Sequence, residues 1–285
     1  MFPDTITISI RTPVNEFVAN LATNYGLFFR HIAAIMLSGI QIFETSLRVT
    51  PWWLLILLVS ALSYLGRRSV VTAIATGALL FVIGILGLWS PMIQTLALML
   101  MSTLIAVLIG IPVGILCAKS RYAGTIIRPV LDVMQTMPGF VYLIPMLMLF
   151  GLGKVPAVFA TIIFALPPII RLTDLGIREV NPEIVEAAKA FGANPLQLLF
   201  GAELPVALPT VMAGVNQTIM MALGMVVVAS MIGARGLGEQ VLHGIQTLDV
   251  GEGLEAGIGI VILAIVLDRT TQGFARIRGG ADRHA

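Results

Sequence analysis

The sequence has very little charge. Only 11% of its 285 residues are Asp, Glu, Lys or Arg, less than half of the roughly 25% that is usual in soluble domains. Hydrophobic residues make up 58%, and the mean hydropathy is +0.98. This composition excludes an ordinary soluble domain and predicts an all-α integral membrane protein. The net charge of +2 gives no indication of nucleic-acid binding, and no such partner is expected.

The sequence is also poor in metal-binding and nucleophilic residues. Its single cysteine, Cys117, lies inside an apolar run, which excludes an intrachain disulfide and predicts a small buried hydrophobe. His31 has no His or Cys at ligand spacing, and His243 and His284 fall in a predicted loop and tail. We therefore expect neither a metal centre nor the nucleophile and base of an intramembrane hydrolase.

No phosphate-binding loop of the form G-x-x-x-x-G-K-[ST] is present. The nearest string, GLGKVP at 151–156, lacks the first glycine at the required spacing and has Val155 after the lysine. The glycine-rich GARGLGEQ at 233–240 follows a predicted membrane helix rather than a strand, so an outer turn is expected there. The chain is thus expected to hold no cofactor, and any ATP must be bound by a partner.

Ionisable side chains are missing from four long apolar runs, at 92–117, 134–151, 156–170 and 206–232. Ion-coupled carriers usually keep such groups inside the membrane, because a buried charge is costly and is retained for coupling. The four aspartates of this part of the chain are predicted at helix ends or in loops: Asp132, Asp174, Asp249 and Asp268. This pattern argues against a secondary carrier and for energy supplied from outside the bilayer.

Apolar runs of about 20 residues predict the membrane helices. We identify seven candidate spans, at 50–66, 70–89, 92–117, 134–151, 154–170, 206–232 and 254–268. The last is short and needs longer ends or buried neighbours. The predicted organisation is two peripheral transmembrane helices over 50–90, a five-helix core over 91–270 and a cytoplasmic tail over 271–285.

Residues 1–49 form a predicted N-terminal arm. Its first residues, MFPDTITISIRTP, lack a charged start followed by an apolar core and a cleavage site, so no cleaved signal peptide is expected. Over residues 14–47, apolar side chains recur every three or four positions, which is typical of an amphipathic helix, with a break near Gly26. We interpret the arm as too polar to span and expect it at the membrane interface.

The positive charges predict the orientation of the chain. The opposite loops hold only Lys154 and Arg235, whereas one set of helix ends holds twelve basic residues, which the positive-inside rule places in the cytoplasm. The C-terminus is therefore expected in the cytoplasm and the N-terminus outside. The twelve are Arg67, Arg68, Lys119, Arg121, Arg128, Arg171, Arg178, Lys189, Arg269, Arg276, Arg278 and Arg283.

One polar stretch, EAAKAFGANPLQLLFGAELP at 186–205, interrupts the apolar sequence on the cytoplasmic side. Asn181 and Pro182 predict the N-cap and first position of a helix, and Gly192 predicts its left-handed end. An Asn-Pro pair recurs just after Gly192, so two short helices at an angle are expected. Small residues around one aromatic suit insertion into a partner's groove, but the residues alone fit a solvated connector equally well.

The same stretch resembles the EAA loop of ABC-importer permeases, whose pattern is E-A-A-x3-G-x9-I-x-L-P. The matching positions are Glu186, Ala187, Ala188, Gly192, Leu204 and Pro205. Ala202 departs from the pattern, which has a larger aliphatic residue there. Longer stretches resemble the permeases of glycine betaine/proline betaine importers, at 131–156, 165–180, 216–241 and 261–269.

The resemblance implies a type I ABC-importer permease core in the cell (plasma or inner) membrane. Its implied partners are a cytoplasmic ATPase, an extracytoplasmic substrate-binding protein and a second permease copy. The implied substrate is glycine betaine, proline betaine or a related quaternary ammonium osmolyte; choline, carnitine or another small solute is the alternative. The residues implied to contact the ATPase are Glu183, Glu186, Ala187, Ala188, Phe191 and Gly192.

Polar residues inside the predicted spans are candidates for the translocation pathway. A neutral polar path suits a zwitterion, because a counter-charge would trap it. Hydrogen bonding between helices is the alternative role for each residue. The candidates are the NQTIMM cluster and one serine farther along the same span: Asn216, Gln217, Thr218, Met220, Met221 and Ser230.

Overall fold

The computed structural model describes residues 11–279, with side chains described through residue 271, and every element in that range is a helix. The beginning of the predicted arm and the end of the predicted tail, with His284, lie outside the described residues. The α-helices are α1 (Arg11–Asn24), α2 (Gly26–Val49), α3 (Trp52–Arg67), α4 (Val70–Ile85), α5 (Trp89–Lys119), α6 (Arg121–Thr136), α7 (Leu143–Phe150), α8 (Lys154–Arg178), α9 (Pro182–Ala190), α10 (Pro195–Leu198), α11 (Leu204–Ala229), α12 (Leu237–Thr247) and α13 (Val250–Gly279). Short 3-10 turns occupy Gly139–Tyr142 and Ser230–Ile232, and a π-helical turn occupies Leu199–Glu203.

Helix α8 lies at the centre of the bundle, packed between α5 and α11. The approach of α5 depends on glycines: a Cβ added at Gly110 would lie 2.3 Å from Ile169 Cγ2, and one at Gly114 would lie 2.5 Å from Thr173 Cβ. Small residues let helices pack closely in a membrane, where lipid is as apolar as the side chains. Gly110 meets Ile169 and Gly114 meets Thr173, so a step of four residues along α5 corresponds to a step of four residues along α8. The two helices therefore run side by side in the same direction.

Within the described part of the chain, five segments are long and apolar enough to cross a membrane, and a bent pair of helices raises the number to six. The five are Gly26–Val49, Trp89–Lys119, Lys154–Arg178, Pro195–Ile232 and Val250–Thr271. Helices α3 and α4, which cover the two predicted peripheral spans, have 16 residues each. At about 1.5 Å per residue they are about 24 Å long, shorter than a hydrocarbon core of about 30 Å. The last predicted span, at 254–268, is longer in the structure, because α13 begins at Val250.

The span predicted at 134–151 is not a single helix, and Pro138 breaks it, as prolines within the core are expected to do. Helix α6 ends at Thr136, and the chain bends by 109° before continuing into α7, as a broken span or a re-entrant loop. Met137 is extended, with ψ 132°, because Pro138 disfavours helical geometry in the residue before it. Pro138 also cannot donate to the Met134 carbonyl, and Tyr142 Oη donates to that carbonyl instead, at 2.7 Å.

The second half of the N-terminal arm is more apolar than its interpretation as too polar to span allows. Helix α2 has 24 residues and a mean hydropathy of 1.5 over its most apolar window, which is enough to cross by length and composition. Its apolar residues lie on several faces, since Met36 and Ile40 are buried in the core whereas Ile35 is exposed. The predicted break near Gly26 is confirmed, because α1 ends one residue before Tyr25 and α2 begins one residue after it.

The two ends of the bundle are held by different contacts. At one end, Lys154 pairs with Glu44 of α2, and the Leu237 amide of α12 donates to Thr95 Oγ1 of α5 at 2.9 Å. The other end holds the C-termini of α5 and α8 and the segment 181–203. This second end is the one that the distribution of Lys and Arg predicts to be cytoplasmic.

Candidate functional site

The polar segment forms a short, capped helix, as the sequence predicts. Asn181 Oδ1 accepts a hydrogen bond from the Glu183 amide at 3.0 Å, and Pro182 occupies the first helical position of α9. At the other end Gly192 has φ +81°, a conformation that L side chains rarely adopt. The Ala193 amide donates to the Ala188 carbonyl at 3.1 Å, which completes a Schellman-type end.

The second helix start is confirmed but leads into a turn that the sequence analysis missed. Asn194 and Gln197 form a reciprocal capping box, with both hydrogen bonds at 2.9 Å. Helix α10 has only four residues and passes through the π turn Leu199–Glu203 directly into α11. A π turn has no sequence signature as clear as a cap, so the amino-acid pattern gave no warning of it.

The outer surface of α9 is exposed. Phe191 is 94% exposed, and Glu183, Glu186 and Ala187 are exposed too, while Ala188 is half-buried. Glu186 has no hydrogen-bond or ion-pair partner within the described residues. An aromatic ring left in solvent beside a free carboxylate is the kind of group that a partner protein buries.

The inner surface of α9 is anchored to the bundle by one side chain. Val185 turns inward and packs against an apolar cluster at the same end of the molecule, which consists of Ile169, Ile177, Val180, Leu199, Ala207 and Val211. The cluster combines residues of α8, the connection after it, the π turn and α11, and side chains of α5 pack against it. A displacement of α9 is therefore transmitted to three central helices.

A cation–carboxylate cluster lies behind this segment. Asp174 is 7% exposed and accepts from Arg128 Nη2 at 2.9 Å and from Arg178 Nε at 2.5 Å. Arg178 Nη2 also donates to the Cys117 carbonyl at 2.7 Å, so the cluster joins α5, α6 and α8. Sequence reasoning placed Asp174 at a helix end but missed the cluster; its spacing of four residues from Arg178 was the available signal.

A second buried carboxylate, Glu203, is also a finding of the structure alone. It is 5% exposed, ends the π turn and forms an ion pair with Lys119, the last residue of α5. Asp174 and Glu203 are the two buried acidic residues of the described chain, and both are paired. Because a buried charge is costly unless it is paired, these contacts fix the relative positions of the helices that carry them.

The six pathway candidates occupy different environments. Asn216 donates to Asp268 Oδ1 at 3.1 Å and accepts from Thr271, so it joins α11 to α13, as the alternative of interhelical bonding predicts. Thr218 is buried, and Ser230 is buried and donates to the Val227 carbonyl of its own helix. Three candidates remain: Met220 and Met221, half-buried against the main core, and Gln217, exposed.

Gln217 belongs to an exposed line along an otherwise packed helix. The residues at four-residue spacing before it are exposed as well, and so is Gly224 after it. This line, defined here as the small-residue stripe, consists of Pro209, Ala213, Gln217 and Gly224. A narrow stripe with one amide facing out of the chain leaves room for another helix or for a small polar solute.

The helical bundle, with its bent pair of helices and its capped polar segment at the cationic end, defines a multi-pass membrane protein. The chain belongs to the family described as binding-protein-dependent transport system inner membrane component, whose model matches residues 110–277. The family likeness inferred from the EAA loop is thereby confirmed.

Several characterised permeases are similar to this chain. The glycine betaine/proline betaine transport system permease protein ProW of Escherichia coli is 58% identical over 203 residues, which are 71% of this chain and 57% of that protein. The glycine betaine/carnitine transport permease protein GbuB of Listeria monocytogenes is 47% identical and covers 95% of this chain and 97% of its own length. The chain thus spans a little over half of ProW but nearly all of GbuB.

A solved structure shares the fold. The MetNI methionine ABC transporter in an inward-facing conformation contains a chain of 22% sequence identity, with a TM-score of 0.60, covering 65% of this chain and 93% of that chain. At this identity the likeness concerns the fold alone.

Proposed function

We propose that this chain is the membrane-spanning permease subunit of an ATP-driven importer for glycine betaine, proline betaine or a related quaternary ammonium osmolyte. The observation that carries the proposal is α9: it is capped at both ends, anchored by Val185 and exposed at Phe191 and Glu186. That geometry is suited to insertion into a groove of an ATPase. The names of the similar permeases support the class of substrate.

The proposed contact with the ATPase uses Glu183, Glu186, Ala187, Ala188, Phe191 and Gly192. In this proposal Phe191 enters the groove, the alanines keep the helix slim enough to approach, and the carboxylates lie beside cationic groups of the partner. The chain itself contributes no catalytic residue and no cofactor site, since ATP is bound and hydrolysed by the partner. An extracytoplasmic binding protein delivers the substrate to the opposite end of the bundle.

We propose that two copies of the chain form the pathway between them. The small-residue stripe supports this arrangement, because residues that line a path between two copies must face out of each copy. Gln217 is then the leading pathway residue, with Met220 and Met221 beside it and with Asn216 holding α11 to α13. Thr218 and Ser230 are buried and take a smaller part in the proposed pathway. ATP binding would bring the two α9 helices together and open the path outward, and hydrolysis would reset it.

Reconstitution tests the proposed function. The chain is co-expressed with its ATPase and binding protein, placed in vesicles, and ATP hydrolysis is measured with glycine betaine, proline betaine, carnitine, choline and proline. Stimulation by one of the betaines is the expected result. Stimulation by choline or carnitine alone would replace the substrate and leave the class intact, whereas a chain that binds no ATPase would contradict the class.

A further inference from the structure

The segment 181–203, called here the docking segment because the proposed contact with the ATPase lies in it, is joined by one ion pair to α5, a helix that is distant from it along the chain. Lys119 ends α5, Glu203 ends the π turn, and their side chains are in contact. Within the described residues, it is the one side-chain hydrogen bond or ion pair between the segment 181–203 and the membrane helices. The cap contacts of Asn181 and Asn194 stay inside the segment.

The π turn determines which way Glu203 points. Phe200 is exposed, whereas Leu199 and Glu203 are buried on the opposite side of the turn. π turns are rare and frequently lie at functional sites, because one wide turn reorients the side chains on it. Here the carboxylate is directed at the C-terminus of α5, where a cation is also favoured by the helix dipole.

Helix α5 connects this contact to the far end of the molecule. It has 31 residues and packs on α8 through Gly110 and Gly114. At its other end Thr95 Oγ1 accepts from the Leu237 amide of α12. A force applied to Lys119 is therefore carried along a continuous helix to the end at which a binding protein would dock.

We infer that the Lys119–Glu203 pair is the link through which movement of α9 is passed to α5, and that both are positioning residues for the coupling of ATP hydrolysis to transport. The inference rests on the proposed function. A buried carboxylate is costly to leave unpaired, so the pair stays closed and α5 follows the docking segment. Without the pair, α9 still binds the ATPase, but its movement reaches α5 only through apolar packing, which has no directional polar contact to hold the two together.

The test is a charge exchange in the reconstituted complex. We expect Lys119→Glu and Glu203→Lys each to lower transport per ATP hydrolysed by about tenfold, within the range of typical coupling effects. Basal hydrolysis and copurification of the ATPase are expected to change less than about twofold, since α9 is intact. The double variant Lys119→Glu/Glu203→Lys should regain most of the lost transport. Recovery should be incomplete, because the exchange puts a carboxylate at the C-terminus of α5, where the helix dipole disfavours it.

A second pair provides the matched control. Arg171 and Asp132 form an ion pair at the same end of the bundle, but it joins α8 to α6 and does not touch the docking segment. Exchanging these two charges should leave the ratio of transport to hydrolysis unchanged.

Several outcomes would overturn the inference. Normal coupling in both single variants would do so, and so would single variants that lose assembly and transport together without recovery in the double variant. Lys119→Met keeps the length of the side chain and removes the charge; if it assembles and couples like the natural chain, the link is not electrostatic. A natural complex without substrate-stimulated hydrolysis would instead contradict the proposed function, before any variant is compared.

Discussion

Different residues of the docking segment have separate structural roles. Asn181 and Gly192 define the length of α9, Val185 holds it to the bundle, and Phe191, the proposed contact with the ATPase, is exposed. Because these tasks belong to different side chains, they can be altered separately. A substitution at the helix end should therefore change the docking helix without disturbing the membrane core.

Gly192→Val is the first prediction at this scale. The backbone there has φ +81°, and no atom lies within 4 Å of an added Cβ, so the effect is purely conformational. A non-glycine residue in that region costs about 1–2 kcal/mol, and more when β-branched. We expect transport and substrate-stimulated hydrolysis to fall severalfold in reconstituted vesicles. Gly201→Ala is the control, because Gly201 is also open but has no left-handed backbone; equal effects of the two would contradict the prediction.

Gln217→Leu is the second. Gln217 is the candidate pathway amide that faces out of the chain, so its loss should lower transport while assembly with the ATPase stays unchanged. Transport is measured in reconstituted vesicles and assembly by copurification. Gln41→Leu removes an equally exposed amide from α2, on the surface of the bundle, and should have no effect. Unaltered transport by Gln217→Leu would remove this residue from the pathway.

At the scale of elements, the sequence predicted what local chemistry determines. The two Asn-Pro starts and the Gly192 end were predictable because caps depend on residues one to three positions apart. Pro138 predicts a kinked or broken helix, but the size of the bend and the apolar length of α2 were missed, because an apolar run alone gives neither the angle nor the ends of a helix. The Lys119–Glu203 pair is separated by 84 positions, and no local pattern indicates such a contact.

The close packing of α5 on α8 gives a prediction about stability. An Ala or Val side chain at Gly114 would lie 2.5 Å from Thr173 Cβ and 2.8 Å from the Ile170 carbonyl oxygen, which is backbone and cannot rotate away. Overpacking of this kind costs about 1–3 kcal/mol. We expect Gly114→Ala to lower the midpoint of thermal unfolding in detergent by several degrees. Gly257→Ala in α13, where no atom lies within 4 Å of the added Cβ, should leave the midpoint in place; a similar shift for both would contradict the packing argument.

At the scale of the whole molecule, the two ends of the bundle fix the direction of the core helices relative to one another. Lys154, Thr95 and Leu237 mark one end, and Lys119, Arg128 and Arg178 mark the other. In the proposed function the second end lies in the cytoplasm, α9 faces the ATPase and α12 lies at the end proposed for the binding protein. The direction of the N-terminal arm depends on whether α2 crosses the membrane, for which it is long and apolar enough.

Labelling of Asn20→Cys, with Cys117 replaced by alanine, tests whether α2 crosses the membrane. The charge distribution predicts the N-terminus outside, so a membrane-impermeant maleimide should label this cysteine in intact cells as fully as in opened ones. A crossing α2 would put residue 20 on the cytoplasmic side, because the far end of α2 is held by the Glu44–Lys154 pair at the outer end. Thr247→Cys, exposed at the end of α12, serves as the outside control, and Lys189→Cys in α9 as the inside control. Labelling of residue 20 only after opening of the cells would reverse the orientation of the arm and make α2 a sixth helix beside the five-helix core.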